Sequence, residues 1–268
     1  MKIFILAARG VGLDSVDLKT VVEYFSLLFE EGKAYKTVLV HRSTLSAMLS
    51  PIDSFSIGNH PVISRLMKGI FHKRPPSRRM FQAWNPASVF EQLPSPDSFV
   101  GALSRCAFLL AMASSRRPSE VAALKCSPAF MTLSPEKVRF LPPRLSKTDR
   151  QTHLGPPIEI SRLPRSTPQS PCPVEALEAL LSFRSRLSIL HDNVFSLPSS
   201  PTVPIDVAHF SALIKDCFRR AGVSAPPGST RHMSVSDAFA KGASIEDVMR
   251  AGDWSAASTF YTHYLRPC

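Results

Sequence analysis

Apolar residues recur at helical spacing through most of this chain, and the stretches that break the rhythm are short and proline-rich. Val16, Leu18, Val21, Val22, Phe25, Leu28 and Phe29 share one face of a helix that Gly32 brings to a stop. The same periodicity predicts helices over 35–49, closed by Pro51, over 61–71, and more briefly over 86–93. A run over 99–113 is apolar all round and predicts a fully buried helix. Pro118, with Glu120 close behind, marks another helix start, because proline suits the first helical position and an acid the positive end of the dipole. Segments 138–141 and 158–160 read as short strands, joined by a basic loop that carries Arg144, Lys147 and Arg150. Helices then follow over 174–190, 207–221, 230–241 and 245–251, with Gly222 and Gly242 as C-terminal stops.

The expected fold is mainly α. A small helical domain covers residues 1–83, and a mixed, mostly helical domain with one small antiparallel β-element covers 84–268. No repeat at solenoid periods interrupts this order. At 268 residues, 44% apolar and 20% charged, the chain has ordinary globular proportions, which excludes wholesale disorder.

Charge narrows the partners. The formal charge is +11, and between Arg65 and Arg79 six basic residues (Arg65, Lys68, Lys73, Arg74, Arg78, Arg79) meet no acid. That balance favours a polyanion, nucleic acid before an acidic membrane surface. The five cysteines are widely spaced with no CxxC pair, which argues against a zinc site or a disulfide framework and for a reducing compartment, nuclear or cytoplasmic. No secretory leader and no apolar run long enough to span a bilayer is expected.

Candidate chemistry gathers toward the C-terminus. Arg231 and His232 stand in the first turn of a predicted helix, where a cation meets the positive end of the dipole. A bound anion such as phosphate resolves that conflict. Arg117 precedes Pro118, which holds it out of helical geometry, so its side chain can swing across the helix mouth. Arg116 competes for the same role. Each feature alone has a plainer explanation. Arg117 suits a surface, Lys147 a solvated loop, and Arg231 and His232 a pairing with Asp237. Trp254 suits a core, and Tyr261 and Tyr264 one side of a docked terminal helix.

Order along the chain changes that weighing. Arg117-x-Ser119-Glu120-Val121, Lys147 between two strands, Arg231, Gly252-Asp253-Trp254 and a near-terminal tyrosine together resemble the active-site series of tyrosine recombinases. These are the phage-integrase and Cre-like DNA breaking-rejoining enzymes. The segments Ala34-Tyr35-Lys36-Thr37, Gly58-Asn59-His60-Pro61, Leu66-Met67-Lys68-Gly69-Ile70, Ser146-Lys147-Thr148-Asp149 and Tyr264-Leu265-Arg266 resemble the recombinases of eukaryotic DIRS-type mobile elements. The resemblance spans about Asp17 to Arg266.

The resemblance implies a core-binding DNA clamp in the first domain and catalysis in the second. Arg117 and Arg231 would hold the scissile phosphate, Lys147 would protonate the leaving 5′ oxygen, and the Trp254 indole would bond the phosphate. Tyr264 would attack it, with Tyr261 as the alternative nucleophile. Glu120 would be structural. The six basic residues from Arg65 to Arg79, with Arg144 and Arg150, would contact DNA. No metal, cofactor, small-molecule ligand or membrane would be needed, and the partners would be double-stranded DNA and further copies of the chain, a tetramer on DNA. One position departs from the family: Gly228 stands where a histidine is usual, three residues before Arg231, and His232 follows that arginine. A catalytically degenerate DNA-binding protein is the alternative that this departure supports.

Overall fold

The computed structural model describes residues 16–76, 83–143, 155–164, 171–254, 257 and 261. The chain divides into two compact units at Met80–Phe81.

The first unit is built on three helices, α1 (Leu18–Glu30), α2 (Tyr35–Met48) and α3 (Pro61–Lys73), with a 3-10 turn at Ile57–Asn59. Asp17 caps α1, accepting the Thr20 N–H at 2.8 Å, and Gly32 ends the segment at φ +77°, a conformation without penalty only for glycine. Val21, Phe25 and Leu28 of α1 meet Val38 and Leu45 of α2 and Ile63, Met67 and Ile70 of α3 in one core. Each of those large side chains contributes about 1.5–3 kcal/mol by leaving water.

The second unit holds α4 (Pro86–Glu91), α5 (Phe99–Ser114), α6 (Pro118–Ala122), α7 (Pro173–Arg186), α8 (Val207–Arg220), α9 (Ser229–Ala240) and α10 (Ile245–Gly252). Helix α5 is the spine. It is buried along nearly its whole length, as its all-round apolar sequence requires, and α7, α8 and α9 pack on it. Trp84 and Phe108 each meet Phe218 edge to face at its side, with Trp84 and Phe218 ring centroids 4.9 Å apart.

A three-stranded antiparallel sheet, β1 (Met131–Leu133), β2 (Lys137–Phe140) and β3 (Ile158–Ser161), flanks the spine in the order β1-β2-β3. Val138 pairs with Ile160 and Phe140 with Ile158, which places all four on the buried face. Lys137 and Arg139 on the other face pair with Glu159 at 3.1 and 3.3 Å. A hairpin of β4 (Ser196–Leu197) and β5 (Ser200–Pro204) precedes α8.

The fold is mainly α with small antiparallel β-elements, as expected. Three details differ. Strand β1 and the β4–β5 hairpin add to the two expected strands. Helix α7 stops at Arg186 instead of reaching 190, because Ser188 turns left-handed (φ 50°) and the Ile189 N–H returns to Arg184 O at 3.0 Å. Among the described residues no helix is long and apolar enough to cross a membrane.

Candidate active site

The site is assembled where α6, α9 and the end of α10 meet. Helix α5 ends on Ser115 in a left-handed turn (φ 54°), after which the chain runs extended through Arg117 (ψ 147°) into Pro118. Proline supplies a helical φ at the first position and forbids one to the residue before it. Glu120 then folds back over the helix start. Its Oε2 accepts the Arg117 N–H at 3.1 Å, and its Oε1 forms an ion pair with the Arg117 guanidinium. Arg231 reaches the same carboxylate from α9, its Nη1 4.0 Å from Glu120 Oε2.

One carboxylate thus stands between two guanidinium groups from segments more than a hundred residues apart in sequence. Arg117 keeps 34% of its side chain exposed, whereas that of Arg231 is 4% exposed. Arg231 is the third residue of α9, so the sequence-based placement of a cation in the first turn holds. Two contacts fix it there. Its Nη2 donates to Gly252 O, and its guanidinium lies over the Trp254 ring, 4.4 Å from the centroid.

Trp254 arrives at that position through the turn that ends α10. Asp253 is left-handed (φ 53°), and the Trp254 N–H returns to Met249 O at 3.0 Å. The ring folds over Gly252, where a Cβ would come within 2.1 Å of it, so only glycine fits. Val235 and Val248 close around the indole. Trp254 is therefore both a core residue and the platform of Arg231.

Arg116, the competitor to Arg117, points elsewhere. Its Nη1 pairs with Asp253 Oδ2 at 3.2 Å, with both side chains 4% exposed, and its Nη2 donates to Pro156 O at 3.2 Å. Two further links hold the frame: Ser115 Oγ hydrogen-bonds to Ser234 Oγ, and the Trp84 indole donates to Ser229 Oγ at 3.1 Å across 145 positions. The sequence shows Asp253 only as part of the Gly252-Asp253-Trp254 box, without its arginine partner, and gives no sign of either serine link. The adjacency of Asp253 to Trp254 was the only signal for that partnership.

Gly228 sits exposed at the N-terminus of α9, at an ordinary φ of −65°, and a Cβ there meets nothing within 4 Å. His232 is partly buried one residue beyond Arg231, and Tyr261 is half exposed. Lys147, Tyr264, Arg78, Arg79, Arg144 and Arg150 lie outside the described residues. On α3, Arg65, Lys68 and Lys73 are exposed. Arg74 is engaged within its own unit: it donates to Phe29 O at 2.9 Å and Lys33 O at 3.0 Å, and covers the Phe29 ring.

Cys106, Cys126, Cys172 and Cys217 are free thiols. Burial pushes Cys217 up to about 12 and Cys106 higher still, so both stay protonated and unreactive. Among the described residues no group of three or more His, Cys, Asp or Glu is placed to hold a metal ion. What the arrangement offers is convergent guanidinium groups, suited to a planar or tetrahedral oxyanion.

This fold is shared with tyrosine recombinases and integrases. The XerH site-specific recombinase, in a pre-cleavage complex with its difH substrate, superposes with a TM-score of 0.61 at 16% identity, over 95% of this chain and 69% of that one. The Tn1549 transposon integrase in complex with a circular intermediate DNA gives 0.60 at 12% identity, over 95% and 83%. The lambda integrase dimer bound to a core site gives 0.56 at 12% identity, over 97% and 85%. No protein-family model matches the sequence, and no curated protein does.

Proposed function

We propose that this chain is a tyrosine-type DNA recombinase that cleaves and rejoins strands through a 3′-phosphotyrosine, of the kind carried by DIRS-type mobile elements. The observation that carries the proposal is the convergence of Arg117 and Arg231 on one carboxylate, with Trp254 stacked on Arg231. Two guanidiniums held that way provide donors for the non-bridging oxygens of a phosphodiester. The ordered sequence boxes and the shared fold support the same assignment.

In this reaction the Tyr264 hydroxyl gives up its proton to water as its oxygen attacks phosphorus, the bond from phosphorus to the 5′ oxygen breaks, and that oxygen takes a proton from Lys147. Attack by a 5′ hydroxyl on the phosphotyrosine reverses the sequence and rejoins the strand, so the phosphodiester energy is conserved and no cofactor enters. The first unit serves as a DNA clamp through Arg65, Lys68 and Lys73. The working assembly is a tetramer on double-stranded DNA, acting in the nucleus.

A second reading, a DNA-binding protein that has lost its chemistry, is favoured by Gly228 at the family's histidine position. A nicked suicide substrate separates the two. A covalent protein–DNA adduct that disappears in Tyr264→Phe supports the recombinase. Binding without any adduct from the wild type leaves only the second reading, and an adduct lost in Tyr261→Phe but kept in Tyr264→Phe reassigns the nucleophile.

A further inference from the structure

We propose that the buried Arg116–Asp253 ion pair is a positioning element that locks three separate segments of the proposed active site into one frame without touching DNA. The inference rests on the recombinase assignment and adds residues to its machinery.

The chain position of Arg116 and two contacts of its side chain define the frame. Its backbone precedes Arg117 directly. Its Nη2 donates to Pro156 O, just before β3, where the chain returns from the segment containing Lys147. Its Nη1 pairs with Asp253, the neighbour of Trp254. Arg231 meanwhile takes Gly252 O. Two successive residues of the α10 turn are thus each gripped by a different buried arginine.

The backbone at Asp253 points the same way. Left-handed turns that end helices use glycine at Gly32, Gly222 and Gly242, where it adopts them at no cost, and serine at Ser115 and Ser188. At 253 the same conformation (φ 53°) carries an aspartate. Aspartate is among the few L-residues that adopt this region readily, and the turn sets its carboxylate against Arg116.

Charge gives the pair its second effect. Arg116, Arg117 and Arg231 bring three positive charges against the two negative charges of Glu120 and Asp253. The positive surplus suits an anionic phosphodiester. With Asp253 paired to Arg116, its carboxylate is neutralised beside Trp254 instead of repelling that anion.

The test uses the whole 268-residue chain and compares DNA binding, thermal melting and the single-turnover rate of adduct formation on a suicide substrate. Arg116→Met and Asp253→Asn each remove one side of the buried pair and lower the melting temperature. The double variant removes both charges and melts near the wild type, since buried pairs are replaceable when both partners leave. Its DNA affinity stays within about threefold, and its adduct rate stays at least tenfold down. Arg116→Lys keeps the charge opposite Asp253 but loses the fork that also reaches Pro156, and its rate falls between those of wild type and the double variant. Recovery of the adduct rate together with the melting temperature in the double variant overturns the proposal, as does a wild-type rate in Arg116→Lys. Acrylamide quenching of the fluorescence of Trp254 and Trp84, the two tryptophans of the chain, reads the frame without chemistry. Quenching at least doubles in the double variant if the pair seats the turn, and unchanged quenching overturns the proposal. A wild type that forms no adduct while that change occurs sinks the recombinase assignment and leaves the frame standing.

Discussion

The Arg231 guanidinium rests on the face of Trp254, 4.4 Å from the ring centroid, and both groups are buried. A cation stacked on a desolvated indole gains about 2 kcal/mol over one in water. Trp254→Phe keeps a ring beneath Arg231 but removes the indole N–H proposed to bond the phosphate. Adduct formation then falls about a hundredfold, the cost of one lost transition-state donor. Trp254→Ala also empties the site between Val235 and Val248 and destabilises the fold by about 3 kcal/mol. Urea unfolding beside single-turnover cleavage distinguishes the two variants.

Gly228 has an ordinary backbone and open space where a side chain would project, so substitution there carries no steric cost. Gly228→His restores the histidine that the family resemblance places three residues before Arg231. Adduct formation rises about tenfold or more, within the span of a positioned acid-base group. Gly228→Ala, as the control, leaves the rate unchanged. Equal rates for all three proteins would show that the position has no part in the chemistry.

The basic residues of the first unit divide into two groups. Arg74 closes the end of α1 through Phe29 O and Lys33 O, so Arg74→Ala lowers stability by about 1–2 kcal/mol. Arg65→Ala and Lys68→Ala leave stability within about 0.5 kcal/mol. Each instead weakens DNA binding and flattens its salt dependence by about one unit of slope, the signature of a lost phosphate contact. Denaturant melts and salt-titrated gel shifts read the two effects independently.

Burial, and secondarily the charge of Arg184, hold the His191 imidazole below its ordinary value of about 6.5. The unfolded chain therefore binds a proton that the folded chain resists, and stability rises with pH. This contribution is complete above about pH 6.5 and is lost as the pH falls through the folded-state value. His191→Gln reduces the difference in urea midpoint between pH 7.5 and 5.5. An undiminished difference would assign the pH dependence to other groups.

Helix periodicity makes most of the α architecture legible in the sequence. Glycine or proline punctuates most of those helices, and α5 declares its burial by having no polar face. The β4–β5 hairpin escapes because Pro198, Pro201 and Pro204 erase the alternation that marks a strand. Strand β1 is only three residues long, too short for a period. Ser188 ends α7 with a left-handed turn that a serine does not advertise.

The candidate site is legible in the sequence as a set of residues but not as a geometry. Arg116 and Arg117 are chemically identical neighbours, and only the turn at Ser115 sends one inward to Asp253 and leaves the other toward solvent. Glu120 needs a basic partner, and tertiary packing brings it two. Trp254 reads from its sequence setting as either core or functional. The bend over Gly252 lets one ring serve both ends.

That bend also constrains how this sequence can change over generations. Any side chain at 252 collides with the indole, and a smaller residue at 254 takes the support from beneath Arg231. Neither position has a harmless intermediate that the other can follow. Gly252 and Trp254 therefore form one coupled unit, in which the ring that supports Arg231 is also the ring that requires the glycine.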